Sequence, residues 1–138
     1  MYDKGEAVPQ DHKEAMRLYR EAAEQGVAMA QYNLGLLYTK GRGVPQDHKE
    51  ARKWLGKAAD QELARAQNSL GVMYEFGKGV LQDNSLAHIW YNISSANGHE
   101  IAGQHRDRIS QIMTREAIEE AQAMARKCMS SDYQNCGD

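Results

Sequence analysis

Residues that staple small folds, cross membranes or cradle phosphates are scarce in this chain. It has two cysteines, two prolines and one phenylalanine among 138 residues. No apolar run approaches the roughly 18 residues that a membrane-spanning helix requires, so membrane insertion is not expected. No charged-then-apolar leader opens the chain. With a net charge of −2 there is no electrostatic case for binding nucleic acid or an anionic membrane. Gly-x-Gly occurs, but no strand precedes it and no lysine-serine follows it, so it is not a phosphate loop. No serine or cysteine sits in a nucleophile motif. His88, His99 and His105 lack metal-ligand spacing, and nothing calls for a cofactor. At 41% hydrophobic and 26% charged residues the composition is that of an ordered protein, and the length suits one domain.

What the chain does have is a repeat. Val8-Pro9-Gln10-Asp11 returns as Val44-Pro45-Gln46-Asp47 and again as Val80-Leu81-Gln82-Asp83, at a constant period of 36 residues. A fixed period of this length marks a solenoid. Residues 8–43 and 44–79 agree at 19 of 36 positions, whereas 44–79 and 80–115 agree at 6, mostly near the start. The third unit therefore begins faithfully and diverges, as a solenoid does where one face meets water instead of another repeat. Tyr2 to Val8 aligns with Tyr38 to Val44, so the chain is expected to open within a unit.

Each unit reads as two helices. The first runs from about Asp11 to Gln25 and again from Asp47 to Gln61. Asp11 and Asp47 are expected N-caps, with Glu14 and Glu50 completing capping boxes and the prolines in the loop before them. Ala15, Leu18, Tyr19, Ala22 and Ala23 form one apolar stripe, repeated as Ala51, Trp54, Leu55, Ala58 and Ala59, and as Ala87, Trp90, Tyr91, Ser94 and Ser95. Gly26 and Gly98 are placed for a left-handed turn after this helix, where Glu62 stands in the middle unit. The second helix spans about 28–40 and 64–76, with stripes Ala30, Leu34, Gly35, Leu37, Tyr38 and Ala66, Leu70, Gly71, Met73, Tyr74. Glycine inside a helix costs about 1 kcal/mol relative to alanine, so the recurrence of Gly35 and Gly71 implies close helix packing. Tyrosine and tryptophan at helical spacing are expected in that core. Further helices follow over about Glu100 to Met113, with Ile101, Ile109, Ile112 and Met113 inward, and from Arg115 to Cys128 after a Thr114 cap. Ala117, Ile118, Ala121, Met124 and Ala125 face inward on the last. In the first of these two, Arg106-Asp107 stands where Leu-Gly would recur, so the tight-packing code is lost.

Cys128 and Cys136 admit two readings: idle thiols in a reducing compartment, or a bridge tying the tail to the last helix in an oxidising one. The short closure permits the bridge. His12 and His48 recur just after the N-caps, a slot that normally faces solvent.

Ala30-Gln31, Leu34-Gly35, Tyr38, Gly41, Gly43-Val44-Pro45-Gln46-Asp47, Ala51, Trp54 and Ala58-Ala59 together resemble the Sel-1-like repeat, a relative of the tetratricopeptide repeat. The resemblance covers positions 2 to about 104. Residues 106–128 also resemble the C-terminal ends of bacterial members. It implies an all-α fold: a right-handed α-α superhelix of antiparallel helix pairs with a C-terminal capping helix. One solenoid domain over 1–130 is expected, made of a partial unit 1–7, units 8–43, 44–79 and 80–115, and a cap over about 115–128, followed by a tail at 131–138. The implied function is a non-catalytic scaffold whose concave face, lined by the Leu-Gly helices, docks a protein or peptide. The groove positions are then Met29, Tyr32, Leu36 and Thr39; Arg65, Asn68, Val72 and Glu75; and Gln104 and Arg108. Bacterial members point to an envelope or host-interaction setting. The alternatives are a hydrolase of envelope or antibiotic substrates, and a structural spacer.

Overall fold

The structure is a computed structural model that describes residues 9–134 and residue 136, with side chains from residue 13 onward. Seven helices follow in order, and no strand is present among the described residues: α1 (Pro9–Glu24), α2 (Ala28–Lys40), α3 (His48–Ala59), α4 (Ala64–Phe76), α5 (Asn84–Ala96), α6 (Glu100–Ser110) and α7 (Arg115–Ser130). The expected partial unit at 1–7, and the tail beyond 134 apart from Cys136, lie outside the described residues.

Each helix from α1 to α6 packs on its sequence neighbours, which is the quasi-one-dimensional contact pattern of a solenoid. The most extensive packing joins α2 to α3 and α4 to α5, each Leu-Gly helix to the helix after it. The exception is α7, which folds back onto α5. Sandwiched among α4, α6 and α7, α5 is the most thoroughly buried helix, with Trp90, Tyr91, Ile93 and His88 almost fully enclosed.

The glycine stripe has the expected cause. A Cβ on Gly35 would meet Leu55 Cγ at 2.7 Å, and one on Gly71 would meet Tyr91 Cδ1 at 2.5 Å. Close approach is not lost in α6, as expected from Arg106-Asp107; it moves one turn earlier, to buried Gly103, where a Cβ would lie 2.9 Å from Ser95 Oγ.

The turns repeat with the same fidelity. Gly41 and Gly77 end α2 and α4 in the left-handed region, donating to Leu37 and Met73 carbonyls. Asp47 caps α3 by accepting from Lys49 N and Glu50 N, and Asp83 caps α5 by accepting from Leu86 N. The Asp47 N–H goes to the Tyr38 carbonyl at 3.0 Å, and that of Asp83 to Tyr74 at 2.9 Å. The capping box at Glu50 is therefore one-sided, because the loop returns to the preceding helix and takes the donor. Thr114 caps α7 through Ala117 N, and His99 Nδ1, unforeseen, caps α6 through Ala102 N.

Three expectations about these helices need correction, while the turn at Glu62 is kept. α1 begins at Pro9, so Asp11 lies inside the first turn rather than before it; its side chain is outside the described residues. Proline suits the first helical position, where its missing N–H has no partner to lose. Leu18 is 51% exposed and Met16 is buried instead. α6 ends at Ser110, leaving Ile112 exposed in the following turn, and Ile101 is exposed as well. Glu62 keeps the turn with φ +69°, a left-handed glutamate between Gly26 at +94° and Gly98 at +102°.

Candidate docking site

The Leu-Gly helices α2 and α4 present their off-core faces side by side. Between them lies a groove of about 360 Å³ lined by Leu36 and Thr39 of α2, Ser69, Val72 and Met73 of α4, His48 and Leu55 of α3, and the loop residues Gln46 and Lys78. Its floor is apolar: Leu36 and Val72 are half-buried one period apart, over buried Leu55 and Met73. The Thr39 and Ser69 hydroxyls donate to carbonyls one turn back, Gly35 O at 2.9 Å and Arg65 O at 3.1 Å. That leaves their methyl and methylene surfaces as groove wall.

Of the ten candidate positions, the structure gathers Leu36, Thr39 and Val72 into this groove. Met29, Arg65 and Gln104 are exposed on α2, α4 and α6, away from its lining; Tyr32 and Asn68 are half-buried, and the buried Asn68 Oδ1 has no partner. Glu75 and Arg108 do not offer free charges. They pair with each other, Arg108 Nη2 to Glu75 Oε1 at 3.0 Å, while the Tyr91 hydroxyl donates to Glu75 Oε1 at 2.7 Å. Arg108 holds the Glu75 carboxyl below its ordinary range, and burial followed by the Glu75 bond raises the Tyr91 hydroxyl above its own. His105 completes the cluster, its Nδ1 3.2 Å from Arg108 Nη2 and its ring 5.1 Å from that of Tyr91; burial and then Arg108 lower its pKa.

The slot of His48 is expected to face solvent, but His48 lines the groove, and its carbonyl oxygen is 2.7 Å from where a Cβ on Gly79 would sit. The recurrence of histidine at that slot was the available signal. The side chain of His12 lies outside the described residues.

The buried glutamines belong to the repeat. Gln31 Nε2 donates to Ala23 O at 3.1 Å and Gln67 Nε2 to Ala59 O at 3.0 Å; Gln31 Oε1 accepts from Gln61 and Gln67 Oε1 from Asn97, both at 2.9 Å. These four bonds are two partnerships, each repeated once at the 36-residue period. They staple the C-terminal end of one helix to the start of the next. Ser94 Oγ donates to Ala64 O at 2.7 Å in the same manner. His88 Nε2 lies 3.0 Å from Ser110 Oγ, and burial lowers its pKa. Tyr38, Tyr74, Tyr91, Trp54 and Trp90 are all buried, as expected of core aromatics. Among the described residues no group of three or more His, Cys, Asp or Glu could hold a metal ion, and no helix is long and apolar enough to cross a membrane.

Cys128 and Cys136 form a disulfide with Cα atoms 4.5 Å apart, and both cysteines are buried. It folds the segment after α7 back, so that the Tyr133 hydroxyl accepts from Asn97 Nδ2 at 3.2 Å.

Helices stacked in chain order, stapled at a constant period and flanking an open apolar groove define an α-solenoid of the helical-repeat class. The Sel1 repeat profile matches residues 1–27, 28–63 and 64–99, and the chain belongs to the Sel1 repeat family. It is similar to the crystal structure of c5321, described as a protective antigen present in uropathogenic Escherichia coli strains displaying an SLR fold. That match has a TM-score of 0.86 at 30% identity, covering 92% of this chain and 28% of that one. It is also similar to a Sel1 repeat protein from Oxalobacter formigenes, with a TM-score of 0.68 at 39% identity over 76% of this chain and 43% of that one. The chain thus spans less than half the length of either. No curated protein matches it.

Proposed function

We propose that the chain is a non-catalytic scaffold that docks a segment of a partner protein in the groove between α2 and α4. The observation that carries this reading is the pair Leu36 and Val72, apolar side chains one period apart, left accessible over a floor of Leu55 and Met73. Apolar anchors in a groove between helices are how helical or extended peptides are held. Protein interaction is typical of the family. The hydrolase alternative finds less support, because the buried glutamines and Ser94 are committed to helix-to-helix bonds rather than gathered around a cavity.

The test is selection of a random peptide library on the immobilised chain, with the L36E/V72E variant as control. Peptides that bind the chain and not the variant support the groove. Peptides that bind both equally, or no enrichment, count against it.

The site of action is an oxidising compartment such as the periplasm or the exterior of the cell. The Cys128–Cys136 bridge supports this, as bridges persist where thiols are not kept reduced. The description of c5321 as a protective antigen is in keeping with exposure to a host. Mass measurement on protein taken from its native compartment, alkylated with and without reductant, checks it; free thiols there would overturn it.

A further inference from the structure

We propose that the groove's partner is an acidic segment: an apolar anchor residue with carboxylates on either side of it. The inference rests on the docking reading above and adds the chemistry of what docks.

It follows from how charge is distributed. The chain carries a net charge of −2, yet α2, α4 and the loops after them are cationic in effect. Their acids are spent. Asp47 and Asp83 accept from the first-turn amides of α3 and α5, and Glu75 accepts from Arg108 and Tyr91. Their cations are not. Among the described residues Arg42, Arg65 and Lys78 form no ion pair, and all three are exposed. On α1 and α3 several cations are matched by acids of their own helix: Arg17 pairs with Glu14 and Glu21, Arg20 with Glu24, and Lys53 with Glu50, although among the described residues the exposed Lys13, Lys49 and Lys57 have no such pair.

Two features sharpen this. Arg65 lies in the first turn of α4, where the helix dipole disfavours a cation, so its own helix does not explain it. Lys78 lines the groove, and Arg42 holds the same position one period earlier. Along α4, Arg65 lies outside the groove lining but two turns before Val72 on the same side of the helix, and Lys78 follows beyond the helix end. The open stripe therefore reads cation, apolar, cation. Seven helical residues separate Arg65 from Val72, about 10 Å of rise. An extended peptide covers that in about three residues. A carboxylate some three positions from a leucine-like anchor meets Arg65, while one on the other side meets Lys78.

The test sequences the peptides selected on the groove and measures them by fluorescence anisotropy against the R65E/K78E variant. Expected are peptides enriched in Asp and Glu around an apolar residue. Their affinity should fall about tenfold in R65E/K78E, and fall again as salt rises, because rim charges act through screened attraction. An unchanged thermal melt of R65E/K78E establishes that the loss is not unfolding. Selected peptides that are neutral or basic, or acidic peptides that bind R65E/K78E undiminished, overturn the proposal while leaving the groove in place. Peptides indifferent to L36E/V72E bring down the docking reading itself.

Discussion

Gly71 of α4 lies against the face of Tyr91 of α5 so closely that a Cβ there would sit 2.5 Å from both Cδ1 and Cε1 of the ring. The ring has little freedom to yield: Tyr91 is fully buried, its hydroxyl is bonded to Glu75 and its ring lies 5.1 Å from that of His105. Gly71→Ala gains about 1 kcal/mol of helix propensity. Against that stands an overpacking cost of about 1–3 kcal/mol, the upper end applying to a rigid neighbour. The expected outcome is a net destabilisation of about 2 kcal/mol in urea unfolding. Gly35→Ala, which meets the more flexible Leu55 side chain, is expected to lose less.

Glu62 holds φ +69° where the neighbouring repeats have glycine. A residue with a Cβ in the left-handed region costs about 1 kcal/mol relative to glycine. Glu62→Gly should therefore stabilise the protein by about that amount, in spite of the greater freedom glycine gives the unfolded chain. Thermal unfolding of the two proteins side by side checks it. A variant no more stable than the parent would show that Glu62 makes compensating contacts.

Both of these sites were legible in the sequence, because both are local and periodic. A glycine recurring in a helix at 36 residues announces a close approach, and a glutamate replacing a turn glycine announces strain. The α2 and α4 boundaries and the Asp47 and Thr114 caps were legible for the same reason. Less legible was whatever depends on partners in the divergent unit. Glu75 and Arg108 lie 33 residues apart on helices that share little sequence, so their pairing follows from no period and the sequence alone places both in the groove. Leu18 fits the apolar stripe of its unit, but stripe membership cannot say whether a neighbour covers it. Lys78 enters the groove from a loop and His48 from the very start of α3, where the chain's path is set by the preceding turn and a helical periodicity does not give it.

The ion pair at Glu75 makes a pH prediction. Arg108 lowers the Glu75 pKa in the folded protein relative to the ordinary value of 4.5. A carboxyl with a depressed folded pKa contributes stability that is present above its unfolded value and lost as pH falls through the folded one. Stability should therefore decline as pH drops below about 4.5, and Glu75→Gln should flatten that part of the profile. Above that pH the variant should be the less stable protein, since Arg108 and Tyr91 lose a charged acceptor. Urea midpoints across an acid pH series for both proteins decide it; parallel profiles would assign the acid sensitivity to other carboxyls.

The disulfide makes the last. Cys128 ends its buried run on α7, and Cys136 brings the chain back so that Tyr133 reaches Asn97, which in turn holds Gln67. The bridge thus fastens the cap to the same glutamine ladder that joins the repeats. Closing a loop of this length restricts the unfolded chain by about 2–3 kcal/mol on the entropic account. C128S/C136S, or the parent in reductant, is expected to unfold at lower urea by that amount. Because solenoid stability is transmitted from neighbour to neighbour, the loss should be felt first at α7 and α5, the helices the bridge and Tyr133 brace, and least at α1 and α2. Hydrogen exchange resolved by segment distinguishes this from a uniform loss: faster exchange confined to residues 84–134 is the expected result, and equal acceleration along the whole chain would mean that the array unfolds as one unit.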